Sequence, residues 1–136
     1  MASDGTDKPA SSLGEFGLIE RLAEVLAESA EEGGGVPGLV LDIGDDCAAV
    51  RRGSVTDVYT TDTMVDGVHF RTGQISWRDL GWKSMAVNLS DVASMGARPV
   101  ISLVTLGLTG DESVNDLEEL YRGIADITNE LGGAVA

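Results

Sequence analysis

Apolar residues recur at helical spacing in three stretches of the chain. In LGEFGLIERLAEVLAESAEE, Leu18, Leu22, Val25 and Leu26 fall on one face, with Glu20, Glu24 and Glu28 on another. That pattern predicts an amphipathic helix, capped by Ser11 or Ser12 and stopped by Gly33-Gly34-Gly35. A second helix is predicted over 77–95, with Leu80, Val87, Met85, Leu89 and Val92 as its apolar surface. Gly96 is its stop and Pro99 follows. A third spans 112–131, through Leu117, Leu120, Ile124, Ile127 and Leu131, and ends at Gly132-Gly133.

Between these stretches the period shortens. LVLDI (39–43), CAAVR (47–51) and DVYTTDTMV (57–65) predict short strands separated by Gly-Asp-Asp and Arg-Gly-Ser turns. VISLVTLGL (100–108) is a largely apolar run that predicts a strand buried on both faces. Ala134–Ala136 begins a further strand. Residues 1–12 are polar and predict a disordered tail, leaving one domain over 13–136. The segment 33–38 is a Gly-rich connection and not a phosphate loop, because no Gly-Lys-Ser/Thr follows it. Alternating strand and helix periods in 136 residues give an α/β (α+β) domain: a mixed β-sheet with helices packed on one face.

Composition narrows the function. No run of about 18 apolar residues exists, and the N-terminus lacks a basic start and apolar stretch, which predicts a cytoplasmic protein without a membrane span. Cys47 is the only cysteine and reads as a small buried residue; disulfide frameworks and Cys-rich zinc sites are excluded. Twenty-three acids against nine bases give a net charge of −14, which repels nucleic acid and anionic lipid. An anionic substrate such as ATP then needs metal cations to approach.

The acids are not evenly spread. Asp42, Asp45, Asp46, Asp57, Asp62 and Asp66 crowd residues 42–66, where no glutamate occurs and Arg51 and Arg52 are the only bases. Close carboxylates repel unless a cation joins them, and hard oxygen ligands of this kind suit Mg²⁺. Aspartate is also a favoured turn residue, which accounts for Asp57 beside its Arg-Gly-Ser turn. Asp62 stands in a β-branched strand, where aspartate is out of character; Thr60 shares its face and Thr61 points away. Ser84, Asn88 and Asp91 form a polar stripe on the second helix, either a solvent face or the lining of a site. His69, the only histidine, reads as structural or as a ligand contact. Trp77 and Trp82 read as core or interface residues.

Four segments together carry a resemblance. GEFGLIERL (14–22), IGDDCAAV (43–50), TTDTMVDGVHF (60–70) and WKSMAVNLSDVASMGARP (82–99) resemble thiamine-monophosphate kinases in order and spacing. The wider superfamily includes aminoimidazole ribonucleotide synthetase, selenophosphate synthetase and a hydrogenase maturation protein. The resemblance implies Mg²⁺-binding roles for Asp46, Asp62 and Asp91, with Thr60 and Thr61 beside the first metal. It implies that His69 contacts thiamine phosphate and Tyr121 the nucleotide, with Asp45 and Asn88 standing beside the ligands. It also implies ATP as co-substrate, several Mg²⁺ ions, and sheets that pair into a barrel across a homodimer. An aspartate at position 42 departs from the expected small or apolar residue and receives no role. The family continues past this point into a Gly-Gly-Asp segment and a second domain, so the chain is expected to be the N-terminal part of the enzyme. The rival readings are another ATP-dependent member of the superfamily and a non-catalytic dimerisation or ligand-binding module.

Overall fold

The computed structural model describes residues 9–29 and 36–136. Residues 1–8 of the expected tail and the glycine stop at 33–35 lie outside them. Residues Ala10–Ser12 form a single 3-10 turn that leads into α1 (Gly14–Ser29). By its contacts the chain divides into two compact units, Met1–Asp57 and Val58–Ala136.

The first unit carries α1 and a three-stranded sheet in the order β1 (Leu39–Leu41), β2 (Ala48–Arg52), β3 (Val55–Tyr59). The division falls within β3. Strands β1 and β2 are antiparallel, with Leu39 opposite Val50 and Leu41 opposite Ala49, and the register shifts between these pairs. The Arg51 amide donates to the Gly38 carbonyl at 2.7 Å. Gly38 has φ 85°, and a Cβ there would strike the Arg51 carbonyl, so only glycine allows the two backbones to meet. Cys47 and Ala49 are the buried side chains of β2 and its approach, as expected of Cys47.

The second unit is built on α2 (Trp77–Ser94) and α3 (Val114–Leu131). Both start at a serine cap. Ser76 caps α2 by accepting from the Asp79 amide, and Ser113 caps α3 by accepting from the Asp116 amide. Leu80, Met85 and Leu89 from α2 bury against Leu120, Ile124 and Ile127 from α3, and Met64, Phe70, Ile75, Trp77, Ala86 and Val104 pack around them. Trp77 thus joins the core, whereas Trp82 is exposed. The two helices touch through glycine. A Cβ on Gly81 would collide with the Leu120 carbonyl, and one on Gly123 with the Arg78 carbonyl and, at 2.8 Å, with the Trp82 amide nitrogen. On the exposed side Arg78 forms a two-pronged bond to Asp126, at 2.8 and 3.1 Å.

Strands β4 (Ile101–Ser102) and β5 (Ala134–Val135) run parallel, joined by the α3 crossover. Three expectations change here. The single mixed sheet is instead two small sheets within an α/β chain that combines an antiparallel sheet with helices. The 57–65 strand leaves its ladder at Tyr59. The 100–108 strand is paired only at Ile101–Ser102 and is not buried on both faces: Val100, Ile101 and Leu103 are 77%, 64% and 81% exposed. Its inward residue Val104 packs on the helical core, but one layer covers only one face of a strand. Among the described residues no helix is long and apolar enough to cross a membrane.

The glycine contacts give a direct test. Gly81→Ala and Gly123→Ala each force two helix backbones apart and should cost about 1–3 kcal/mol or more in urea unfolding. Gly107→Ala meets nothing within 4 Å and should cost nothing measurable. Equal stabilities for all three variants would show that the helices do not depend on this approach.

Candidate functional site

The candidate residues lie in both units. In the first, Asp42, Asp45 and Asp46 occupy the exposed turn between β1 and β2. Asp42 accepts from the Ile43 amide and Asp45 from the Asp46 amide, each at 2.8 Å, which spends one oxygen of each on local turn structure. Gly44, at φ 116°, lets the chain bend between them.

In the second unit the structure joins two segments that the sequence keeps 31 residues apart. The Thr60 hydroxyl donates to Asp91 Oδ2 at 2.9 Å, and both residues are half-buried. Ser84, Asn88 and Asp91 are all half-buried, so the stripe on α2 is not an open solvent face. Ser84 and Asn88 bond back to their own helix, through the Gly81 and Ser84 carbonyls. Thr61 and Asp62 are exposed, and Asp62 accepts from the Thr63 amide at 2.7 Å. Tyr121 is exposed on α3.

His69 sits in a tight loop. Its Nδ1 accepts from the Val65 amide at 3.0 Å, and its carbonyl accepts from Lys83 Nζ at 2.8 Å. Asp66 closes the base of the loop by accepting from the amides of Gly67 and Thr72 and from the Thr72 hydroxyl. Those bonds, led by the Thr72 amide, hold the Asp66 carboxyl below its ordinary range. The sequence reading counted Asp66 in the acidic cluster and assigned neither Thr72 nor Lys83. The Asp66-Gly67 pair, a turn signature, was the available signal.

Among the described residues no three acidic, histidine or cysteine side chains converge as a ready-made metal cage. The donor set still fits Mg²⁺, which keeps several waters and binds through one or two carboxylates plus substrate phosphates. Asp91, with the Thr60 hydroxyl against it, is the half-buried carboxylate of this set that could serve in that way.

The family described as AIR synthase related protein, N-terminal domain, matches residues 44–136. The chain belongs to that family. It is 39% identical over 109 residues to a thiamine-monophosphate kinase of Rhodopirellula baltica, covering 74% of this chain and 34% of that protein. A thiamine-monophosphate kinase of Aquifex aeolicus is 37% identical over 112 residues, covering 82% and 32%. A solved structure, AaThiL complexed with AMPPCP and TMP, superposes with a TM-score of 0.77 at 31% identity, covering 96% of this chain and 40% of that one. The chain therefore spans about a third of the length of the relatives it matches. The resemblance read from its four segments stands.

Ahead of α3, Glu112 accepts from the Thr109 amide and hydroxyl and the Gly110 amide. These bonds, the Thr109 amide foremost, push its carboxyl down from 4.5 to about 2. Asp126, beside the Arg78 guanidinium, is lowered as well. A folded pKa below the unfolded one stabilises above about pH 4.5 and is lost as the pH falls towards 2. Glu112→Gln should lower the melting temperature at neutral pH and flatten its fall through that acid window. An unaltered acid profile would mean that the carboxylate is not held as described.

Proposed function

We propose that this chain is the N-terminal, metal- and nucleotide-carrying part of a cytoplasmic kinase that phosphorylates thiamine phosphate to thiamine diphosphate with ATP. The supporting observation is the superposition, across 96% of the chain, on a kinase holding an ATP analogue and thiamine monophosphate. The Thr60–Asp91 bond adds to it, because it links the TTDT segment to the acid of the second helix.

On this reading Asp91, Thr60, Thr61 and Asp62 are Mg²⁺-binding residues of the second unit, and Asp46 is a Mg²⁺-binding residue of the first. Asp45 and Asn88 support them, His69 contacts thiamine phosphate, and Tyr121 lies at the nucleotide. The bound ions supply charge neutralisation between two anionic reactants. The acceptor is a phosphate monoester whose second pKa is about 6, so it is already deprotonated near neutrality and requires no general base. The residues' work is then to position the phosphates in line. Ile101 and Leu103 share one exposed, apolar strand face, and we assign it to a homodimer whose sheets pair into a barrel.

The test compares thiamine diphosphate formation with Mg-ATP by residues 1–136 and by a full-length parent. The parent should turn over, and Asp62→Asn or Asp91→Asn in it should lower kcat by about 10²-fold or more. The isolated chain, a third of the relatives' length, should show no turnover but should melt higher with Mg²⁺ and an ATP analogue. Full activity of the isolated chain, or no effect of either substitution, would overturn the assignment.

A further inference from the structure

The loop of residues 65–72 is held far more tightly than its exposure suggests. It is pinned at three places. Phe70 packs on the helical core, Lys83 Nζ reaches from α2 to the His69 carbonyl, and Asp66 ties Gly67 to Thr72 across the base. Inside it the amides of Val68 and His69 both donate to the Val65 carbonyl, and the Gly67 amide donates to the Phe70 carbonyl. Gly67, at φ 78°, supplies the turn that this ring of bonds needs.

The arrangement fixes the chemistry of the imidazole. Nδ1 accepts from the Val65 amide and so carries a lone pair and no proton. The neutral ring then has its hydrogen on Nε2, the opposite nitrogen of an exposed side chain. A single N–H of fixed direction suits an oxygen acceptor such as a phosphate oxyanion.

We propose that Asp66, with Thr72 and Lys83, is a positioning residue that holds His69 as an Nε2–H donor towards the phosphate of the substrate. The ligand in this statement rests on the function proposed above; the tautomer and the bracing do not. Asp66 acts through the backbone that carries Val65 and His69, by its bonds to Gly67 and Thr72. Lys83 ties the loop to α2, the helix that also carries Asp91, so the donor and the acidic limb share one rigid element.

Because His69 is the only histidine, its ring nitrogens can be read by ¹⁵N NMR on the 136-residue chain without ambiguity. At about pH 8 the wild type should show the Nε2–H tautomer alone. Asp66→Asn keeps an oxygen for the Gly67 and Thr72 amides and should preserve it. Asp66→Ala should give a mixture of tautomers and at least tenfold faster hydrogen exchange at Val65 and Thr72, with α2 and α3 amides still protected. Lys83→Met serves as a second variant if Asp66→Ala unfolds, and should loosen the same amides.

A mixed tautomer in the wild type, or no change in tautomer or exchange in Asp66→Ala, would overturn the proposal. Thiamine phosphate should shift the imidazole resonances of the wild type. If the bracing results hold and no shift occurs, the positioning role stands and the ligand assignment fails.

Discussion

Two glycines set how closely α2 and α3 approach, and the second unit depends on that distance. Glycine inside a helix is unfavourable by about 1 kcal/mol against alanine, yet Gly81 and Gly123 each sit where a single methyl would strike the facing backbone. Their absence of a side chain lets Leu80, Met85 and Leu89 close over Leu120, Ile124 and Ile127, which gives the unit its dry centre. The contact also fixes the rotation of α2 about its axis. With Leu80 and Leu89 turned inward, Ser84, Asn88 and Asp91 lie along a half-buried edge, and Lys83 is placed to reach the His69 loop. The geometry of the candidate site is thus inherited from a packing constraint several residues away.

This explains which features were legible in the sequence. The helices were, because a 3.6-residue period is local: 77–95 was expected and Trp77–Ser94 is found, and 112–131 corresponds to Val114–Leu131. The strands were less so. An apolar run reports that a segment avoids water, not what covers it, so VISLVTLGL read as doubly buried although this chain covers one face. The extent of the 57–65 strand failed for a related reason, since pairing depends on a neighbour that no local pattern specifies. The Thr60–Asp91 bond joins positions 31 apart, beyond any spacing rule; only the resemblance placed both residues at one site.

The aspartates show the limits of composition as evidence for a metal. Asp42, Asp45 and Asp62 each accept from the next residue's amide, Asp66 closes a loop, and Asp126 pairs with Arg78. These are structural uses of a short carboxylate, and a count of acids cannot separate them from ligation. A carboxylate has about four lone-pair positions, so one local bond does not disqualify it either. Half-burial beside a hydroxyl distinguishes Asp91, since a charge there is less well hydrated and gains more from a cation than one in open water.

The net charge of −14 makes the division of labour around a phosphate intelligible. An anion approaching this surface is repelled at long range, and fixed aspartates add to the repulsion at short range. On the proposed reading the acidic limb works only with cations between it and the phosphates. The His69 loop faces the opposite problem. On the same proposed reading it attracts a phosphate without a metal, through an Nε2–H whose direction is set by the Val65 amide at Nδ1. A neutral donor needs no counter-ion and suffers little desolvation when a ligand covers it, but its contribution depends on alignment. That dependence is why a solvent-exposed loop would be braced by a carboxylate, a hydroxyl and a lysine at once: a mobile loop would return in lost orientation what the hydrogen bond contributes.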